Sequence, residues 1–481
     1  MAAFREMSSR VVSASMASAT AIGLIVAGGL APPAAAEPCS GPAANAAPPP
    51  GTPVLNSPSA SGQLPTGRRP RGANDQAPLP KLGPLLKVLI DPNTYRRSAP
   101  VQQQAAVIPE PAPAPGGGAA QSPNAAQVVP NAVPAPAAPD PGQAIAASTT
   151  SLAEWVSGPD SPNQTLDRFG ISGADLGIPW DNGDPANHQV LMVFGDTYGY
   201  CGVHGHQWRY NTLFRTQDRN LNDGISVAPG VVNDRYSGSP LLAPNLSKQV
   251  INTIKKAPSE TGIIPTAAIA AGRTQFVNFM SIKSWGNNGE WSTNYSGLAR
   301  SIDNGQTWGI YPGTIRTPGG GNENFQMGAF TRPGDGYVYS FGTPAGRGGS
   351  AYLARVPEGF LPDLTKYQYW HGDGNGSWVP ANPAAATPIV PGPVSEMSAQ
   401  YNSYLKQFLM LYCNGANDVV ARTAPTPQGP WSPEHVLVSS TQMPGGIYAP
   451  YIHPWSSGKD LYFTLSLWSA YNVMLMHTAL G

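Results

Sequence analysis

Three stretches of this chain repeat one arrangement: a strand ending in Leu-Ala-Arg or Val-Ala-Arg, a turn-rich spacer, and a tryptophan. They are GLARSIDNGQTW (297–308), YLARVPEGFLPDLTKYQYW (352–370) and VVARTAPTPQGPW (419–431). Each follows a pair of apolar runs joined by a short turn: TQFVNFMSIKSWGNNGEWSTNY, GYVYSFGTPAGRGGSAY and KQFLMLYCNGAND. Short apolar runs rich in aromatic and β-branched residues, bounded by Gly, Asn, Asp and Pro, read as strands. No segment carries a long 3.6-residue period, so the folded part is expected to be all-β. A sheet unit of this kind cannot bury its hydrophobic faces alone, and repetition around an axis buries them against neighbouring units. The repeat therefore predicts a β-propeller.

Five units can be counted, at roughly 165–215, 235–310, 324–380, 394–440 and 446–481. Residues 200–260 follow the pattern poorly, which leaves six blades as the runner-up. The first Trp segment also resembles the S-x-D-x-G-x-T-W turn of sialidase-type blades. That turn makes Asp303 a structural cap, and Arg300, Arg355 and Arg422 are expected to hydrogen-bond within their blades.

The first third of the chain is different. Residues 1–36 carry Arg5 and Arg10, a mildly apolar stretch and small residues near Ala36, the pattern of a secretory signal peptide, with an uncleaved anchor as the alternative. Residues 37–147 are dominated by Ala, Pro, Gly, Gln and Ser, a composition too poor in apolar surface to fold, and are read as a disordered linker. One apolar island, residues 79–92, interrupts it. The propeller domain is placed at 148–481, and a chain shortened to begin near Ser148 is expected to fold. Export to the medium or the cell envelope permits disulfides. Cys39 lies in the linker, and Cys201 and Cys413 are either bridged to each other or two buried thiols. His204 and His206 lack a third metal ligand and are read as loop residues. The 28 basic and 28 acidic residues balance, which gives no electrostatic reason to expect nucleic acid as a partner.

The stretch VLMVFGDTYGY (190–200) places an acid, Asp196, directly after an apolar strand. A carboxylate there is costly to desolvate unless it is hydrogen-bonded, paired or used. Asp175 in SGADLG is a second acid of this kind within the same repeat. Asp234, Glu323 and Glu396 also sit near strand starts or turns, and an Asp in a Gly-Asp turn commonly only caps backbone amides. Aromatic residues crowd the same regions, among them Tyr200, Tyr451 and Trp455. Carboxylates among aromatic rings suit carbohydrate: rings stack on sugars, and two acids supply a proton donor and a base. Trp180, Tyr198, Trp208, Tyr236, Glu396, Tyr401 and Tyr448 are the candidate substrate-binding residues.

GADLGIPW, VFGDTYG and YAPYIHP together resemble the exported actinobacterial domain-of-unknown-function group recognised as endo-D-arabinanase glycoside hydrolases. The resemblance covers about residues 150–481. It implies a five-bladed propeller, essential aspartates at Asp175 and Asp196, and a polysaccharide substrate, the α-D-arabinofuranose chains of arabinogalactan and lipoarabinomannan. On this reading the chain is a monomeric endo-acting hydrolase that inverts, with Asp196 as base and Asp175 as acid. No cofactor or catalytic metal is expected, and a structural cation in the central channel is left open. Glu396 and Asp234 are the next candidates for the acids. The alternative is a non-catalytic carbohydrate-binding or scaffolding propeller, since fold alone does not define function.

Overall fold

The computed structural model describes residues 39, 45–55, 142–147, 149–286 and 290–481. The signal segment and the 79–92 island lie outside the described residues.

The first strand of the domain, β1 (Ser151–Trp155), is used last. After it come β2 (Gly173–Ala174), β3 (Ile178–Asp181), β4 (Val190–Phe194), β5 (Thr197–Tyr198) and β6 (Thr212–Thr216). β3, β4 and β6 make the first blade, and β2 pairs with β5 in a two-stranded ribbon. β4, VLMVF, is buried along its whole length. A central strand covered on both faces needs no polar alternation.

The next residues form only a short ribbon, β7 (Leu241–Ala243) with β8 (Leu246–Ser247). They make no sixth blade, and five is the count. The second blade is β9 (Gly262–Ala271), β10 (Thr274–Trp285), β11 (Trp291–Ser301) and β12 (Gly309–Ile310). The third has five strands, β13 (Met327–Thr331), β14 (Tyr337–Thr343), β15 (Tyr352–Pro357), β16 (Gln368–His371) and β17 (Ser377–Pro380). The fourth is β18 (Ser398–Asn402), β19 (Gln407–Cys413), β20 (Val419–Ala424) and β21 (His435–Val438). The fifth takes β22 (Ile447–Ile452), β23 (Asp460–Leu467) and β24 (Asn472–Ala479), and β1 completes it as the outer strand, with Ser151 opposite His477 and Trp155 opposite Met474. This exchange closes the ring. The innermost strands β3, β9, β13, β18 and β22 pack in that order around the axis, and β22 returns to β3.

The repeated arginines bind inside their own blades, as the sequence predicts. Arg300 donates to the Tyr311 hydroxyl at 2.8 Å, Arg355 to Gln368 at 2.7 Å and Arg422 to the Tyr412 hydroxyl at 2.8 Å. Asp303 accepts from Thr307 N at 2.8 Å and from its hydroxyl at 2.6 Å, and acts as a turn cap.

Two expectations at the N-terminal side are corrected. Residues 142–147 pack against the last two blades: Ile145 is buried, Gly142 N donates to Pro430 O at 3.1 Å, and Ala147 bridges to Leu480. The domain therefore begins before Ser148. Cys201 is joined by a disulfide to Cys39, not to Cys413, which is a buried free thiol. The linker cysteine is covalently part of the propeller.

Candidate functional site

The five inner strands run parallel around the channel, so their first residues share one mouth. Asp175 leaves β2 there and is followed by a left-handed pair, Leu176 (φ 69°) and Gly177 (φ 65°). Its carbonyl accepts from the N–H of both Gly177 and Gly195 at 3.0 Å, which fixes the backbone. Its carboxylate Oδ2 accepts the Tyr448 hydroxyl at 3.0 Å. Asp196 stands between β4 and β5, is fully buried, and its Oδ1 accepts Trp208 Nε1 at 2.7 Å. The two acids thus sit on backbone segments that are hydrogen-bonded to each other. Asp175 Oδ1 lies so near Gly195 that a Cβ at that position would overlap it. This is why a glycine precedes Asp196: the backbone must come close to the other carboxylate.

Glu396, at the start of the fourth blade, is held by Arg347 from the β14–β15 loop. The guanidinium meets both carboxylate oxygens, Nε to Oε2 at 3.0 Å and an amino nitrogen to Oε1 at 2.6 Å. It also lies over the rings of Trp291 and Tyr448, 5.1 and 5.2 Å from their centroids. Burial, the largest single influence, works to lower the Arg347 pKa, but the Glu396 charge and its hydrogen bonds, with Tyr448 and Cys413 adding to them, together hold the group above its ordinary value. A planar, weakly hydrated guanidinium tolerates this burial where an ammonium would not.

The inner strands that carry these groups are bent at the same level. β9 and β22 lose register at Pro265–Thr266 and at Ala449–Pro450, and Ala449 is left-handed (φ 57°). Such bulges re-aim side chains, and proline removes a ladder donor there. On β22 the bulge separates Tyr448, which reaches Asp175, from Tyr451. Burial first, then the charges of Glu396 and Asp175, pushes the Tyr451 hydroxyl well above its ordinary pKa, so it stays a neutral donor. The resulting cleft is lined by Asp175, Glu396, Arg347, Tyr448, Trp285, Trp291, Met280 and the Ile264–Thr266 bulge.

Of the expected residues, Asp175, Glu396 and Tyr448 line this cleft, and Asp196 and Trp208 are buried behind it, on the segment hydrogen-bonded to that of Asp175. Trp180 is a core residue: it is 3% exposed, donates to Gln275 Oε1 at 2.8 Å and meets Trp308 edge-on. Tyr198, also 3% exposed, packs edge-on against Tyr471. Both are nearly buried, and Trp180 also borders the cavity at the far end of the channel. Tyr401 is exposed at the far end of the channel, beside a cavity of about 470 Å³. Tyr236 lines a separate depression with Asp184 and Arg273. Asp234 and Glu323 cap turns, accepting from Tyr236 N at 2.8 Å and from Gly321 N at 2.9 Å.

At the far mouth Asp181 accepts from Trp455 Nε1 and pairs with His188 Nε2, both at 2.5 Å. Burial works to raise its pKa, but these bonds and the Gly183 amide hold it below the ordinary value. Among the described residues, the one set of three ligand atoms with metal-binding spacing is Cys39, Cys201 and His206, and both sulfurs are already joined to each other. Arg347 and Trp291 belong to the site without a local signal in the sequence. Arg347 stands alone among glycines in PAGRGGS, and its partner is 49 residues away.

Fold and site define a five-bladed propeller with a buried acidic cluster at the mouth where its inner strands begin. The chain belongs to the family described as "Domain of unknown function (DUF4185)", which matches residues 160–477. It is similar to Notoamide biosynthesis cluster protein J' of Aspergillus versicolor, 28% identical over 322 residues that span 63% of this chain and 83% of that protein. Notoamide biosynthesis cluster protein J of Aspergillus sp. (strain MF297-2) is 29% identical over 319 residues, 63% of this chain and 81% of that one. Similar solved structures include the catalytic domain of a Coprinopsis cinerea GH62 α-L-arabinofuranosidase, at TM-score 0.38 and 10% identity over 69% of this chain and 97% of that one. Native Bacillus subtilis arabinanase Arb43A gives TM-score 0.35 and 10% identity over 64% and 96%.

Proposed function

We propose that this protein is an exported, monomeric, endo-acting glycoside hydrolase that cleaves α-D-arabinofuranosyl linkages of arabinogalactan and lipoarabinomannan. The observation that carries the reading is the pair Asp175 and Asp196. Two buried carboxylates lie on hydrogen-bonded neighbouring segments, and each accepts from a donor, Tyr448 or Trp208, that fixes its orientation. A pair this costly to bury is a feature of sites that use it. The cleft walls are aromatic and apolar, and among the lining residues the one cation, Arg347, is committed to Glu396. That suits a neutral sugar chain better than a charged ligand. The Cys39–Cys201 disulfide supports export, since such bonds persist in oxidising compartments.

In the proposed reaction Asp175 gives its proton to the departing glycosidic oxygen. Asp196 takes a proton from the water that attacks the anomeric carbon from the opposite face, and the configuration inverts. The chemistry uses no cofactor. Inversion needs room for that water, with carboxyl groups about 6.5–9.5 Å apart, whereas about 5 Å would favour a covalent route.

The test is cleavage of arabinogalactan by the purified mature chain, with Asp175→Asn and Asp196→Asn beside it. Both variants should lose nearly all activity and still bind oligosaccharide. On an aryl arabinofuranoside with a good leaving group, Asp175→Asn should recover rate and Asp196→Asn should not, because only the acid becomes dispensable. A parent chain that binds arabinan and never cuts it would leave a carbohydrate-binding propeller in place of the enzyme.

A further inference from the structure

We propose that the N-terminal segment containing Cys39 and residues 45–55 positions Asp196, acting through the loop Gly199–Trp208; the inference rests on the glycosidase reading above. The loop begins just after β5 and ends at Trp208, the residue that donates to Asp196. Its conformation is unfavourable by itself. Gly205, His206 and Gln207 are three consecutive left-handed residues, with φ of 72°, 52° and 49°. Side chains of L-residues crowd the backbone in that region, so a run of this kind persists only where its surroundings over-determine it.

The surroundings divide into two sets. Within the loop, Gly199 N donates to His206 O at 2.8 Å, Tyr200 N donates to Gln207 Oε1 at 3.0 Å, and His206 Nδ1 lies 2.9 Å from Cys201 O. From the N-terminal segment come the Cys39–Cys201 disulfide and the Pro53 carbonyl, which accepts Gln207 Nε2 at 3.1 Å. Gln207 has no solvent exposure, and its amide spends its oxygen on the loop and its nitrogen on the segment. The segment therefore grips the loop at both ends, at Cys201 and one residue before Trp208. Arg209 then pairs with Thr197 through both backbone groups at 2.9 Å, which brings the returning chain back beside Asp196. Release of the segment removes one side of this clamp, and the left-handed run is free to relax. Trp208 then moves, and a fully buried carboxylate loses a donor that orients it.

The experiment compares the mature disulfide-bonded chain with Cys39→Ser, Trp208→Phe and the double variant. Two readouts are taken: hydrogen exchange over residues 196–209, and kcat with KM on arabinan. Cys39→Ser should speed exchange in 199–208 while blades three and four are unchanged, and lower kcat about tenfold or more with KM within about threefold. Trp208→Phe should lower kcat to a similar degree, and the double variant should be little worse than either single change, because both act through one contact. Mild thiol reduction of the folded parent serves where Cys39→Ser folds poorly, and thiol titration after denaturation verifies opening of the bridge. Parent-like exchange and kcat after opening the bridge would overturn the proposal, as would losses that simply multiply in the double variant. If the parent does not cut arabinan, the glycosidase reading falls on its own. Exchange in the loop then decides the clamp, and unchanged exchange overturns it.

Discussion

The Tyr448 hydroxyl donates to Asp175 Oδ2 at 3.0 Å across 273 residues of sequence, from the last blade to the first. Only a closed ring brings β22 beside the segment that follows β2. The same tyrosine ring supports the Arg347 guanidinium, so one side chain links the Asp175 carboxylate to the Arg347–Glu396 pair.

Removing that hydroxyl tests the link. Tyr448→Phe keeps the ring under Arg347 and deletes one donor to a buried carboxylate. In the proposed step Asp175 becomes charged as it gives up its proton, and a hydrogen bond to a charged group is worth about 1.5–3 kcal/mol, so kcat on arabinan should fall by roughly 10- to 150-fold. The midpoint of thermal unfolding, measured alongside, should shift little in comparison.

Gly195→Ala should be more disruptive than its size suggests. The added methyl group would occupy the place of Asp175 Oδ1, and the carboxylate must swing away from Tyr448. The expected result is a folded protein with at least about a tenfold lower rate, since small misplacements of reacting groups are costly. Gly202→Ala, where nothing lies within 4 Å, is the matched control and should behave like the parent.

Breaking the Arg347–Glu396 pair from one side leaves a buried charge without its partner. Glu396→Gln and Arg347→Met should each destabilise the domain by about 3–5 kcal/mol in denaturant unfolding. The double variant should be less destabilised than the sum of the two, because no charge is stranded.

His453 makes stability depend on pH. Burial pushes its imidazole down to about 3 from an ordinary 6.5, against the opposing charge of Asp181. Between those values the unfolded chain takes up a proton that the folded chain refuses. The contribution is therefore complete above pH 6.5 and is lost as pH falls toward 3. The slope is at most about 1.4 kcal/mol per pH unit. Urea unfolding between pH 4 and 7 should show a shallower slope for His453→Gln than for the parent.

Much of the site is legible in the sequence because its first members are local. Asp175 and Asp196 belong to one repeat, and the Gly-Asp junction after an apolar strand marks an acid at a strand end. Trp180 and Tyr198 are less legible, because an aromatic residue near a candidate acid reads the same whether its ring faces a cleft or a neighbouring blade. Burial separates the two cases, and burial depends on which sheet packs against which. The 142–147 segment reads with the linker on composition, yet Ile145 finds a hydrophobic pocket only once blades four and five are assembled.

By itself the sequence determined what short-range chemistry controls: strands from apolar runs, turn caps at Asp303, arginines bound within their own blades, and a repeat that demands a ring. It also placed two acids at one end of one blade. Only the tertiary structure decided the long-range partners. Tyr448 with Asp175, Arg347 with Glu396 and Cys39 with Cys201 join residues 273, 49 and 162 positions apart. No local pattern encodes these pairings, because each joins separate elements: the first needs the ring closed, the second two neighbouring blades packed together, and the third the N-terminal segment laid against the first blade.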